Sequence, residues 1–179
     1  MPKTRSPHVH ASDDEIRGWF TGRLPQDWFS GALDVTTDRD EIMVVGTIAA
    51  PEVDDDESEE TREAAISARI AGFREDTRPR RMMIADEAQH RFGRIVSWGV
   101  ICGDRRVPFT TLSLPAMTRL RLAQRQVLDT LVEAGVARSR SHALAWCVRL
   151  VAERQDEWLR DLREALTKVE QVRADGPTD

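Results

Sequence analysis

Few residues of this chain have the types and spacing that chemistry needs. His90 and Cys102 could form a thiol–imidazole pair, in which the imidazole takes the thiol proton and leaves a nucleophile. Each also has a plainer reading: Cys102 lies in a strand pattern and His90 on the surface of a helix pattern. His8 and His10, in "HVH", could hold a divalent metal, but no further ligand stands at a matching spacing. The acidic stretch "PEVDDDESEE" (51–60) offers hard oxygen ligands, yet lacks the glycine and alternate spacing of an EF-hand loop. It reads as a solvated acidic linker. The sequence contains no G-x-S-x-G, no phosphate-binding glycine loop and no H-E-x-x-H. An enzyme is therefore not expected, and neither a cofactor nor a metal is expected.

The stronger pattern is electrostatic. "VARSRSHALAWCVRLV" (136–151) opens on two arginines and two serines, then turns apolar. Between Ala143 and Ala152 only Arg149 is charged. Net charge over the chain is −5, but it is unevenly divided. Residues 1–104 hold 13 Lys/Arg against 21 Asp/Glu, whereas residues 105–150 hold eight arginines against Asp129 and Glu133. An acidic total argues against a general nucleic-acid coat protein and leaves room for a local basic face.

The elements that must position these residues can be read along the chain. With 179 residues, 40% of them apolar, one compact domain or two small ones can form a core. Two cysteines make neither a disulfide framework nor a CxxC zinc pair. The N-terminus lacks the apolar core of a signal peptide, and no apolar run is long enough to span a bilayer. A cytoplasmic protein with no membrane partner is expected. The 24 arginines against two lysines suggest a GC-rich bacterial genome.

Residues 1–11 read as a disordered tail. Ser12 with Glu15 has the form of a capping box, so a short helix is expected there. Trp19, Phe20, Trp28 and Phe29, in the echoed WFTG and WFSG, read as core anchors rather than a ligand cage. "LDVTTDRDEIMVVGTI" reads as two strands around Asp38-Arg39-Asp40. Apolar residues at helical spacing over Glu59–Phe73, a helix from Pro79 to Phe92 stopped by Gly93, and two strands joined at Gly103-Asp104 follow. The expectation is an α+β fold: a small antiparallel sheet with helices over 12–114, then a helical region over 115–173 with an extended last helix and a tail at 174–179. Trp158, Leu162, Ala165, Val169 and Val172 form a short heptad seam on that last helix.

In the C-terminal third, "TRLRL" (118–122) alternates, "AQRQVLDTLVEAG" is amphipathic and ends on Gly135, and "VARSRS" turns into "HALAWCVRLV". The span from Thr118 to Val151 resembles the ribbon-helix-helix family of DNA-binding proteins. About 35 residues carry the resemblance, with LDxLVEAG and SRSxAL the specific elements. If "TRLRL" is extended, Leu120 and Leu122 point inward and Arg119 and Arg121 outward. A two-stranded ribbon fits the major groove, where arginine pairs with guanine, so Arg119 and Arg121 are the expected base contacts. Ser139 can cap the second helix, and its first N–H groups suit a phosphate. Arg138, Ser139, Arg140 and Ser141 are the expected phosphate contacts. The resemblance implies an intertwined dimer with Leu144, Cys147, Val148 and Val151 at its core. Two alternatives stay open: "FTTLSL" (109–114) could pair with "TRLRL" and hide it, or the first helix could start at Pro115 and abolish the ribbon.

The expected function is a homodimeric, sequence-specific DNA-binding protein, a transcriptional regulator, whose partners are itself and double-stranded DNA. The N-terminal domain would supply a surface for a protein partner or effector. The alternatives are a dimerisation and protein-interaction module without DNA binding and, more distantly, RNA binding by the N-terminal unit.

Overall fold

The structure is a computed structural model that describes residues 11–54 and 56–175. Residues 1–10 of the tail expected at 1–11, with its HVH, and residues 176–179 of the tail expected at 174–179 lie outside the described residues, whereas Ala11 packs against the core and the last helix runs on to Asp175. The chain divides into two compact units, one ending at Leu114 and one starting at Pro115.

The first unit opens on helix α1 (Asp13–Arg23). Ser12 caps it by accepting the Glu15 N–H at 3.1 Å, and Asp13, Asp14 and Glu15 sit at the positive end of the helix dipole. Strands β1 (Asp34–Thr37) and β2 (Glu41–Ile48) pair antiparallel around the expected turn. There the Asp38 carboxylate accepts the N–H groups of Asp40 and Glu41 at 2.8 and 2.7 Å, and these bonds hold its pKa below the usual carboxylate value. Helices α2 (Glu59–Asp76) and α3 (Arg78–Phe92) follow, the first capped by Ser58 and the second ended by Gly93 at φ 71°. Strands β3 (Ile95–Cys102) and β4 (Arg105–Pro108) close the unit around Gly103 at φ 62°.

The fold is α+β, and its sheet order is β1-β2-β3-β4. It is not the purely antiparallel sheet expected. The two outer pairs are antiparallel, but β2 and β3 run parallel over Glu41–Ile48 and Ile95–Cys102. The reason is the connection: two helices carry the chain back to the starting end of the sheet, as a parallel pair requires. Both central strands are correspondingly buried over most of their length.

Ile16 and Phe20 of α1, Ile42 and Val44 of β2, Ile84 of α3 and Val100 of β3 are fully buried in one core. The aromatic residues anchor it as expected. Trp19 stands edge-on to Phe20 and Phe92, and Trp28 and Phe29 pack on Phe73 of α2. Gly46 is bare because a Cβ there would overlap the Phe29 ring. Gly46→Ala should therefore lower stability by at least about 1 kcal/mol through overpacking. A thermal or urea melt unchanged from wild type would contradict that fit.

The second unit consists of α4 (Leu122–Glu133), α5 (Arg140–Arg154) and α6 (Asp156–Asp175). Two expectations are corrected, and one of the open alternatives falls. "FTTLSL" extends no strand, because β4 stops at Pro108. The first helix does not start at Pro115: residues 109–121 are neither helix nor strand, and Arg121 is extended at φ −77°, ψ 168°. The last helix is not continuous, since Gln155 (φ −123°, ψ 29°) breaks it and Asp156 and Glu157 supply the acidic first turn of a new one. Among the described residues no helix is long and apolar enough to cross a membrane.

Candidate nucleic-acid interface

The second unit is built on a small core. Leu128 of α4, Ala137 of the turn and Ala143 of α5 are buried, and Leu120, Leu131, Val132, Leu144 and Cys147 pack against them. Leu120 thus points inward as expected. Leu122 does not: it opens α4 and is 63% exposed. The slip follows from where the helix begins, because the last residue of the alternation becomes helical and loses its strand-like facing.

Arg119 and Arg121 are both exposed on the lead-in to α4. Arg121 marks the N-terminal boundary of the helix. Its N–H donates to Gln124 Oε1 at 2.8 Å, and Arg125 donates to the Leu120 carbonyl at 2.7 Å. These bonds fix the point where extended chain becomes helix. Residues 118–121 pair with neither 109–114 nor any other strand among the described residues.

The turn between α4 and α5 follows the sequence closely. Gly135 takes φ 74°, the left-handed conformation that ends a helix. Ser139 then caps α5, its Oγ accepting the His142 N–H at 3.2 Å. His142 accepts the Arg138 N–H on Nδ1 at 3.3 Å. Ser141 and the Arg138 side chain are exposed. Arg140 is not free. It makes a two-pronged bond to Asp129 of α4, both contacts 2.6 Å, which raises the guanidinium pKa and lowers that of the carboxyl. Sequence reasoning counted Asp129 only as a charge and missed its role; an acid one helix away from an R-S-R-S turn was the available signal.

Of the expected dimer core, Leu144 and Cys147 are half-buried within this unit. Val148 and Val151 are 63% and 47% exposed. Leu122, Val127 and Val136 are also exposed, so part of the apolar surface of this unit is not covered within the unit.

The thiol–imidazole pair does not assemble. His90 donates from Nδ1 to the Asp86 carbonyl at 2.8 Å on the surface of α3. Cys102 is fully buried at the end of β3, and burial pushes its thiol pKa up, away from a nucleophilic thiolate. Among the described residues no group of three or more His, Cys, Asp or Glu is arranged to hold a metal.

A family model described as the Rv1265-like protein N-terminal domain matches residues 14–108, more than half of the chain. The chain belongs to the Rv1265-like family. A second model, the Mb1296 C-terminal domain, matches residues 121–173 of the Rv1265-like chain. The uncharacterized proteins Mb1296 of Mycobacterium bovis and Rv1265 and MT1303 of Mycobacterium tuberculosis are each 55% identical to it over 159 residues. The alignments cover 89% of this chain and 69% of each relative. No solved structure matches the chain. The gap between the two matched regions of the Rv1265-like chain, residues 109–120, is nearly the whole stretch that is neither helix nor strand.

Proposed function

We propose that this protein is a homodimeric, sequence-specific DNA-binding regulator of the bacterial cytoplasm, without catalytic activity. Its C-terminal unit would bring the ribbon-helix-helix mode of binding. The observation that carries the reading is the lead-in to α4: an unpaired segment, neither helix nor strand, with two exposed arginines, followed by the helices α4 and α5 with Val127, Val148 and Val151 exposed. A second copy would satisfy both features at once. Two lead-ins would pair as an antiparallel ribbon, and Val148 and Val151 would be covered by their counterparts. The serine-capped end of α5 suits a backbone phosphate, with Arg138 and Ser141 beside it and Arg140 joining on release from Asp129.

The Arg140–Asp129 pair favours a second reading, in which the unit dimerises and binds protein without touching DNA. The deciding experiment is a salt-titrated binding isotherm of the full chain on a duplex selected from a random pool and on random duplex. A specific regulator prefers the selected duplex by at least about 10³-fold at physiological salt. Equal, weak binding to both would hand the lead to the second reading.

The same pair gives a sharper expectation. Asp129→Asn releases Arg140 and removes a negative charge from the basic face. Affinity for random and selected duplex should rise together, and the slope of log K against log salt should steepen by about one unit. An unchanged slope would remove Arg140 from the list of phosphate contacts.

A further inference from the structure

The N-terminal unit carries a cleft of about 300 Å³ between the α2–α3 corner and β3, lined among others by Arg74, Arg78, Arg81, Val96, Trp98 and Phe109. We propose that this cleft binds a small organic oxyanion, a carboxylate or phosphate head on an apolar body, with Arg81 as the anchor of the head group.

Arg81 is the reason. It is only 6% exposed, and a charged side chain that deep is ordinarily paired. Among the described residues it makes no ion pair with a carboxylate. Its Nε donates to Thr77 Oγ1 at 2.9 Å and its Nη2 to the Arg74 carbonyl at 2.7 Å. A guanidinium carries five N–H donors, so donors remain on Nη1 and Nη2. The charge lies 4.8 Å from the centre of the Phe109 ring. Arg74 stands over the same ring at 5.8 Å, and neither Arg74 nor Arg78 makes an ion pair among the described residues. Glu75, the acid lining the cleft, bridges none of the three. Burial, then the charges of Arg74 and Arg78, press the Arg81 pKa down, with Glu75 partly opposing them. The local balance thus lacks an anion.

The walls say what kind of anion. Val96 and Trp98 of β3, with Met82 and Ala85 of α3, line the same cleft as the charges with apolar surface. The forked guanidinium matches the two oxygens of a carboxylate or phosphate. The volume lies at the low end of ligand pockets and equals about ten waters, which fits a head group with one ring or a short chain rather than a macromolecular segment. The site lies wholly within the first unit and owes nothing to the DNA-binding reading.

The test uses the full chain with phenyl phosphate and benzoate as probes, benzyl alcohol as the uncharged control, and sodium chloride to match ionic strength. Calorimetry gives the affinity, and the indole N–H signal of Trp98, identified by its loss in Trp98→Phe, reports the place. We expect saturable binding at one site per chain by at least one anion, a shift of the Trp98 signal, and no saturation by benzyl alcohol. Which anion binds tells phosphate from carboxylate. Arg81→Met should abolish binding. Arg78→Ala alters an exposed side chain, leaves the core untouched and should weaken binding about tenfold, the loss of one charge-assisted contact. If Arg81→Met does not fold, Arg78→Ala decides alone. Absence of saturable binding by either anion at millimolar concentration would overturn the site. So would equal binding of the alcohol, a Trp98 signal that stays still, or wild-type affinity in the variants that fold. None of these readouts involves DNA, so their failure and that of the regulator are separate events.

Discussion

Val148→Asp should turn the proposed dimer into a monomer. Val148 is 63% exposed on α5, so the charge sits in water in a lone chain and the helices should survive. In the proposed dimer the same carboxylate would be buried without a partner, at a cost of several kcal/mol. Light scattering should therefore give half the wild-type mass, while far-ultraviolet circular dichroism stays the same. Because the ribbon needs both copies, selective DNA binding should vanish with the dimer. A wild-type chain that scatters as a stable monomer would sink the dimer and, with it, the ribbon.

Arg119→Ala and Arg121→Ala should each weaken binding to the selected duplex by roughly 1–3 kcal/mol, and the double variant by about twice that where the two contacts act independently. Neither change should alter folding, since both side chains are exposed. Binding to random duplex should change little. Arg138→Ala is the contrast: as a phosphate contact it should weaken binding to every duplex alike and flatten the salt slope by about one unit. Equal and small losses for all these variants, on both duplexes, would mean that the arginines form a solvated face and that the segment serves a protein partner.

Much of the local structure was legible because it rests on short-range chemistry. Ser12 and Ser139 each accept a helix N–H three residues on, and Gly93 and Gly135 take the left-handed conformation that stops a helix. Such caps depend on residues within one turn of each other, so sequence alone locates them. The hairpin turn at Asp38 is of the same kind. The echoed aromatic pairs marked the core, since rings of that size are seldom left in water.

The parallel pairing of β2 with β3 was not legible, because alternation and turn residues describe a strand and not the direction of its partner. The break at Gln155 was hidden for a similar reason: nothing in that stretch is a glycine or proline, and helical spacing continues on both sides. The bond between Arg140 and Asp129 needed two helices folded against each other before an exposed arginine could become an engaged one. Arg81 is the clearest case. In "REDTRPRR" (74–81) nothing in the sequence distinguishes it from the other three arginines. Only the corner between α2 and α3, closed by Trp98 and Phe109 from distant parts of the chain, takes that one cation out of water and leaves its neighbours exposed. Sequence determined the serine caps, glycine stops and turns that bound several of the elements, because those are contests among near neighbours; tertiary structure decided where the last helix breaks, which strands pair and which charges are buried, because those depend on groups that only folding brings together.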